Sequence, residues 1–189
     1  MANICEYHVL VKGAKNACHA LFGGLPVLDD KWITAETGSD DGCTIVFQGT
    51  CKWSVDSYTG PYSGPEKLTI PEDPDEAETF GEGFWGVTLQ EKSRLFGVEV
   101  WCNSVDIDDP VAIICEHYIS GENKTSFYED MPREIAMDEY ADNGREDGAD
   151  WNMIEAMMDD LDLEAIEEIT GVSVNDIKEH FNMLDEEEE

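Results

Sequence analysis

Carboxylates at helical spacing are the residues of this chain best placed to do chemistry. Glu155, Asp159 and Asp162 fall at i, i+4 and i+7, and Glu164, Glu167 and Glu168 follow at i, i+3 and i+4. Side chains at i and i+4 of a helix lie about 5–6 Å apart at Cβ, while duplex DNA carries about one negative charge per 1.7 Å of axis. Such rows can imitate a phosphate backbone. A basic groove built for nucleic acid would gain from them the steering and counterion release that DNA supplies. Asp176 and Glu179 extend the series. A second acidic run, Pro71–Gly83 (PEDPDEAETFGEG), holds Asp73, Asp75, Glu76 and Glu78 and is followed by Trp85, while Trp151 opens the acidic tail. An aromatic beside carboxylates is the anchor chemistry expected against a basic protein.

Nucleophilic and metal chemistry are weaker in this sequence. Cys115 and His117 stand two apart, on one face of an expected strand, and form the one Cys/His couple. No glycine elbow, oxyanion motif or third orienting group accompanies them, so the expectation is a protein that is not an enzyme. The other histidines (His8, His19, His180) read as structural. There is no CxxC pair for zinc, and Asp138–Asp150 lacks the spacing of a calcium loop. No GxxxxGK[ST] segment is present to cradle a phosphate. No metal and no cofactor are expected.

Composition restricts the partners. Among 189 residues, 44 Asp and Glu face 11 Lys and Arg, a net charge of −33, with 41% apolar and 10% aromatic residues. The apolar content suffices for a core. The charge excludes ordinary binding to nucleic acid, which needs clustered cations, and disfavours an anionic membrane surface. The favoured partner is a basic protein. Residues 1–133 carry 23 acids and 9 bases; residues 134–189 carry 21 acids and 2 bases, Arg145 and Lys178. A solubilising surface or halophilic adaptation is the rival reading, but neither predicts that concentration after residue 133. No apolar run reaches the roughly 18–20 residues of a membrane span. Residues 1–6 lack a secretory pattern, and the six cysteines sit among apolar residues as buried thiols do. The expected location is a reducing cytoplasm.

The elements that carry these residues divide at 133. Tyr7–Lys12 reads as a strand, Ala14, Cys18 and Leu21 as a short helix, and Cys43–Val55 as a long strand with Gly49 as a bulge or bend. A long acidic loop is expected over 56–86. Thr88-Leu89-Gln90-Glu91 is a capping box opening a helix that stops at Gly97. Val98–Cys102 is a strand, and Val111–Ser120 with Lys124–Tyr128 a hairpin turning at Gly121-Glu122-Asn123. The order predicts an α+β fold, an antiparallel ferredoxin-like sheet with helices on one face. Residues 134–189 form an acidic linker, Asp138–Asp150, and a helical tail. There Ile154, Met157, Met158 and Leu161 make one apolar stripe, and Leu163, Ile166 and Ile169 a second. Ser173 caps a third helix with Ile177, Phe181 and Leu184 inward. Leu163–Phe181 resembles a helix-turn-helix unit with the wrong sign of charge for DNA.

The stretch Glu91–Ser104 (EKSRLFGVEVWCNS), followed by Glu116–Glu122 (EHYISGE), resembles the second half of ferredoxin-like domains in small proteins carried by plasmids and phages. That resemblance covers roughly residues 4–130 and implies a mobile-element origin, where inhibitors of host defence are common. In character the acidic tail resembles DNA-mimic anti-CRISPR and anti-restriction proteins. What the resemblance implies is an inhibitor seated in the basic groove of a restriction enzyme or of a CRISPR effector of the Cas9 type. The alternative is an immunity protein or antitoxin that neutralises a basic toxin.

Overall fold

The computed structural model describes residues 4–52, 55, 62–106, 111–131 and 151–183. Trp53, the stretch 56–61, the linker read at Asp138–Asp150, Leu184 and the acidic end 186–189 lie outside the described residues. The chain divides into two compact units, Met1–Arg133 and Glu134–Glu189.

The first unit is a mixed α+β structure. In chain order it runs β1 (Ile4–Gly13), α1 (Lys15–Gly23), β2 (Lys31–Ser39), β3 (Gly42–Lys52), α2 (Pro74–Gly81), a 3-10 turn (Glu82–Phe84), α3 (Leu89–Phe96), β4 (Glu99–Asp106), β5 (Val111–Ile119) and β6 (Glu122–Met131). The six strands form one sheet in the order β2-β3-β1-β4-β5-β6, every neighbouring pair antiparallel.

Alternation decides which side chains meet the helices. Cys5, Tyr7, Val9 and Val11 of β1 share a buried cluster with Ile45, Phe47 and Cys51 of β3, Val100 and Cys102 of β4, and the apolar residues of α1 to α3. The other face carries two register rows: Gln48–His8–Asn103–Cys115, and Val46–Leu10–Trp101–His117. Residues from 12 to 95 positions apart in sequence thereby become neighbours. None of the six cysteines forms a disulfide.

Three expectations for this unit are corrected. Residues 56–86 are not one loop, because Pro74–Gly81 is helical. Asp73 accepts from the backbone N–H groups of Asp75 (3.0 Å) and Glu76 (3.2 Å), and Pro74 starts the first turn. That is a strong local start signal, with acids placed well for the helix dipole. The many prolines around it masked the signal. Gly49 is not a bulge, since β3 pairs without interruption there. A Cβ at Gly49 would strike the Tyr7 phenol, whose hydroxyl donates to the carbonyl of Pro26 at 2.9 Å. The irregularity lies instead in β2, between Ile33 and Ala35. The hairpin turn is Ser120-Gly121, with φ of 48° and 86°. Positive φ at both central residues is the two-residue turn whose twist matches antiparallel strands.

Strand β2 itself has no counterpart in the sequence reading. It is an outer strand with only partial burial along its length, so it lacks the apolar alternation by which strands are recognised.

Helix α3 begins as its spacing predicts: the Thr88 hydroxyl accepts from the Glu91 N–H at 3.1 Å, and Gly97 closes the helix at φ 69°. The second half of the capping box is replaced, because the Glu91 carboxylate pairs with Arg94. Buried Ser93 then ties the helix to the sheet. Its hydroxyl donates to the carbonyl of Val98 (2.7 Å) and accepts from Gly121 N–H (3.1 Å).

The second unit holds three short helices, α4 (Trp151–Met158), α5 (Leu163–Thr170) and α6 (Val174–His180), with α5 against both others. Met153, Ile154, Met157, Ile166, Ile169, Val172 and Ile177 are buried, whereas Met158, Leu161 and Leu163 are only partly so. Asp162 caps α5, Gly171 ends it at φ 76°, and Ser173 caps α6. Among the described residues no helix is long and apolar enough to cross a membrane.

Candidate acidic interaction surface

The amphipathic helices of the second unit turn their carboxylates to water. Glu155 on α4, Glu164, Glu167 and Glu168 on α5, and Glu179 on α6 are exposed, while Met153, Ile154, Met157, Ile166, Ile169 and Ile177 of the same helices are buried. Glu164 and Glu168 stand at i and i+4 on one continuous helix, the spacing that places neighbouring charges about 5–6 Å apart at Cβ.

The expected row Glu155/Asp159/Asp162 is broken. Helix α4 ends at Met158, and the N–H groups of Asp160 (3.0 Å) and Leu161 (2.9 Å) close on the Met157 carbonyl. Asp159 and Asp160 at that end would face the negative pole of the dipole, which favours stopping there. Asp162 is therefore not the third member of a row but the cap of the next helix, accepting from Ala165 N–H at 2.8 Å.

Other carboxylates also hold structure. Glu167 accepts from Val174 N–H at 3.1 Å and so bridges α5 to α6, although it is exposed. Asp176 is half-buried; its N–H donates to the Ser173 hydroxyl at 3.2 Å, and that hydroxyl donates back to its carboxylate. In the first unit Asp73 is a cap, Asp75 and Glu76 are exposed in the first turn of α2, and Glu78 is half-buried. Of the sequence-predicted acids, Glu155, Glu164, Glu168, Glu179, Asp75 and Glu76 stand exposed outside these cap and bridge roles, and Asp159 is exposed in the turn after α4. The exposed members on α4 and α5 form the densest display.

The two aromatic candidates separate. Trp151 stacks on His180, centroids 3.9 Å apart and planes 5° apart, with Phe181 edge-on at 6.0 Å. That contact joins α4 to α6, so Trp151 is a packing residue of its unit. Trp85 is 54% exposed and lines a pocket with Lys31 and Lys52. The sequence reading missed both lysines, although the doublet Lys-Trp at 31–32 and again at 52–53 was a signal.

Cys115 and His117 lie on one strand face, but each engages a different neighbour. The Cys115 thiol donates to Asn103 Oδ1 at 3.8 Å. His117 Nε2 lies 3.0 Å from Glu99 Oε1, and its ring stacks on Trp101 at 4.2 Å. On the helix side, His19 lies 3.5 Å from Glu36, which also pairs with Lys15. The Lys15 ammonium holds the Glu36 carboxyl below its ordinary range, and burial pushes the Cys18 thiol up. Among the described residues no three His, Cys, Asp or Glu side chains converge to hold a metal ion.

What the architecture defines is a mixed α+β protein with an acidic helical unit. No protein-family model, curated protein or solved structure matches the chain.

Proposed function

We propose that this protein is a non-enzymatic inhibitor that occupies the basic nucleic-acid groove of a host-defence nuclease, a CRISPR effector of the Cas9 type or a restriction enzyme, and so keeps DNA out. The observation that carries this reading is the outward display of Glu155, Glu164, Glu168 and Glu179 on short helices whose apolar faces are buried. A buried apolar face holds the helices, so the carboxylates present a fixed pattern of charge, unlike a disordered acidic tail. Facing Arg and Lys side chains, that pattern releases counterions as a phosphate row does. Competition with DNA follows from shared contacts, and its strength falls as salt rises because exposed ion pairs are screened.

The ferredoxin-like assignment belongs to the same proposal. Support comes from the order β2-β3-β1-β4, with α1 between β1 and β2 and helices α2 and α3 between β3 and β4; β5 and β6 then extend the sheet. A mobile-element origin and a cytoplasmic site of action go with it.

The test uses the full chain as bait in a bacterial lysate containing CRISPR and restriction nucleases, with elution by duplex DNA. A quadruple reversal, E155K/D159K/E164K/E168K, is the paired control; it leaves the caps Asp162 and Ser173 intact, and circular dichroism checks its helices. The expected result is a nuclease that the wild-type chain retains, duplex DNA displaces and the variant fails to hold. Capture that DNA cannot displace, or that the variant retains equally, overturns groove competition; the former points to an immunity or antitoxin role.

A further inference from the structure

Strand β2 ends the sheet with one side of its backbone unused. The Leu28 N–H donates to the Thr50 carbonyl at 2.7 Å, and the Thr50 N–H to the Asp30 carbonyl at 3.4 Å. In an antiparallel ladder the N–H and C=O of one residue point the same way, and the direction alternates along the strand. Thr44, Val46 and Gln48 of β3 therefore also turn toward β2, where they meet Thr37, Ala35 and Trp32. Lys31, Ile33, Glu36 and Gly38 aim their N–H and C=O groups out of the sheet. Because β2 is the last strand of the order, no other strand of the sheet receives them.

This edge is open and acidic. Trp32 is 49% exposed, and Glu36, Gly38 and Ser39 are exposed as well. Asp29 and Asp30 precede the strand, Asp40 and Asp41 form the turn after it, and all four are exposed. The cation of the strand, Lys31, gives its ammonium to the carbonyls of Phe22 (2.7 Å), Gly23 (2.9 Å) and Leu25 (3.3 Å). Glu36 is held by Lys15. The charges that a chain laid along this edge meets at its two ends are the two aspartate pairs. An unpaired edge attracts other strands, and a register shift between Ile33 and Ala35 narrows what fits. A second copy, with a net charge of −33, would bring like charge to both ends.

We propose that the β2 edge binds an extended segment of a basic protein by strand addition. The segment takes its main-chain hydrogen bonds from Lys31, Ile33, Glu36 and Gly38, the mode in which backbone supplies affinity and side chains supply selection. An apolar side chain beside Trp32 forms a cross-strand pair. Strand β2 has nine residues, so at about 3.4 Å per residue a nine-residue segment brings Lys or Arg at its ends to the aspartate pairs. The surface lies in the first unit, apart from the carboxylates of the second, and does not rest on groove mimicry.

The test titrates the capped peptide KRVTVTVRK into the full chain and follows amide hydrogen exchange by NMR. Saturable binding below about 1 mM is expected. The N–H groups of Lys31, Ile33, Glu36 and Gly38 gain protection, while those of Trp32 and Ala35, already in the ladder, change little. KRVPVPVRK, which keeps the charge but loses two N–H donors, and the acidic EDVTVTVDE each bind about tenfold more weakly. Trp32→Ala and the double variant Asp40→Asn/Asp41→Asn each weaken KRVTVTVRK about fivefold. Glu164→Gln/Glu168→Gln, exposed acids of the second unit, leaves its affinity unchanged. Binding that does not protect the outward amides overturns the proposal, as does equal binding of the proline peptide or unaltered affinity in the Trp32 and aspartate variants. So does the absence of saturable binding. Protection of the same amides in concentrated protein without peptide assigns the edge to a second copy and overturns it too.

Discussion

Gly23 at the end of α1 and Gly81 at the end of α2 each face the backbone of the other helix. A Cβ on Gly23 would collide with the carbonyl oxygen of Glu78, and a Cβ on Gly81 with that of Ala20. With Ala20 and Ala77 fully buried between them, the two helices meet backbone to backbone, and only hydrogen fits at the two crossing points. This contact sets where the 3-10 turn and Trp85 emerge beside the cavity.

Gly23→Ala and Gly81→Ala are each expected to destabilise the protein by about 2–4 kcal/mol, because the obstructing atoms are main-chain carbonyls that cannot rotate away. Gly83→Ala, where nothing lies within 4 Å, should stay within about 0.5 kcal/mol. Urea unfolding of the three variants checks the difference, and equal loss in all three would remove the close-approach argument.

Capping and displayed carboxylates should respond in opposite ways. Asp162→Ala removes the acceptor for Ala165 N–H and should cost about 1 kcal/mol of stability. Glu164→Ala and Glu168→Ala, exposed on the same helix, should leave stability within about 0.5 kcal/mol yet weaken binding to a basic partner. Thermal unfolding and a binding titration on the same three proteins separate the two roles.

A pH effect is expected at Glu36. Lys15 lowers its pKa from the ordinary 4.5 in the folded protein, so the unfolded chain takes up the proton first. The stabilisation is therefore present above about pH 4.5 and is lost as pH falls through the depressed folded value. Global acidity works the other way, since protonating many carboxylates relieves self-repulsion. The readout is thus the difference between wild type and Glu36→Gln. That difference should favour wild type at pH 7 and shrink below about pH 4.5; a difference that is flat with pH would show the Lys15–Glu36 pair to be without consequence.

Legibility followed the range of the interactions. The run YHVLVK and the apolar, β-branched stretch read over Cys43–Val55 point to β1 and β3, although β3 ends at Lys52 and is buried at every position from Cys43 to Phe47. Thr88, Gly97, Gly171 and Ser173 identify helix ends because caps act over three or four residues. Lys31–Ser39 stayed illegible, as an outer strand half in water leaves no periodic trace. Pro74–Gly81 was obscured by flanking prolines, and Asp162 looked like a row member because spacing does not reveal where a helix stops.

The sequence by itself determined the sign and distribution of charge: −33 overall and heaviest after residue 133. Charge is a sum over residues, and it survives any folding of the chain. Only the tertiary structure decided which carboxylates are caps and which stand in water, that Gly23 and Gly81 touch opposing backbones, and that Lys31 and Lys52 meet Trp85 around one cavity. Those relations join residues tens of positions apart, and they exist only once the sheet order and the α1–α2 contact have closed the loops between them.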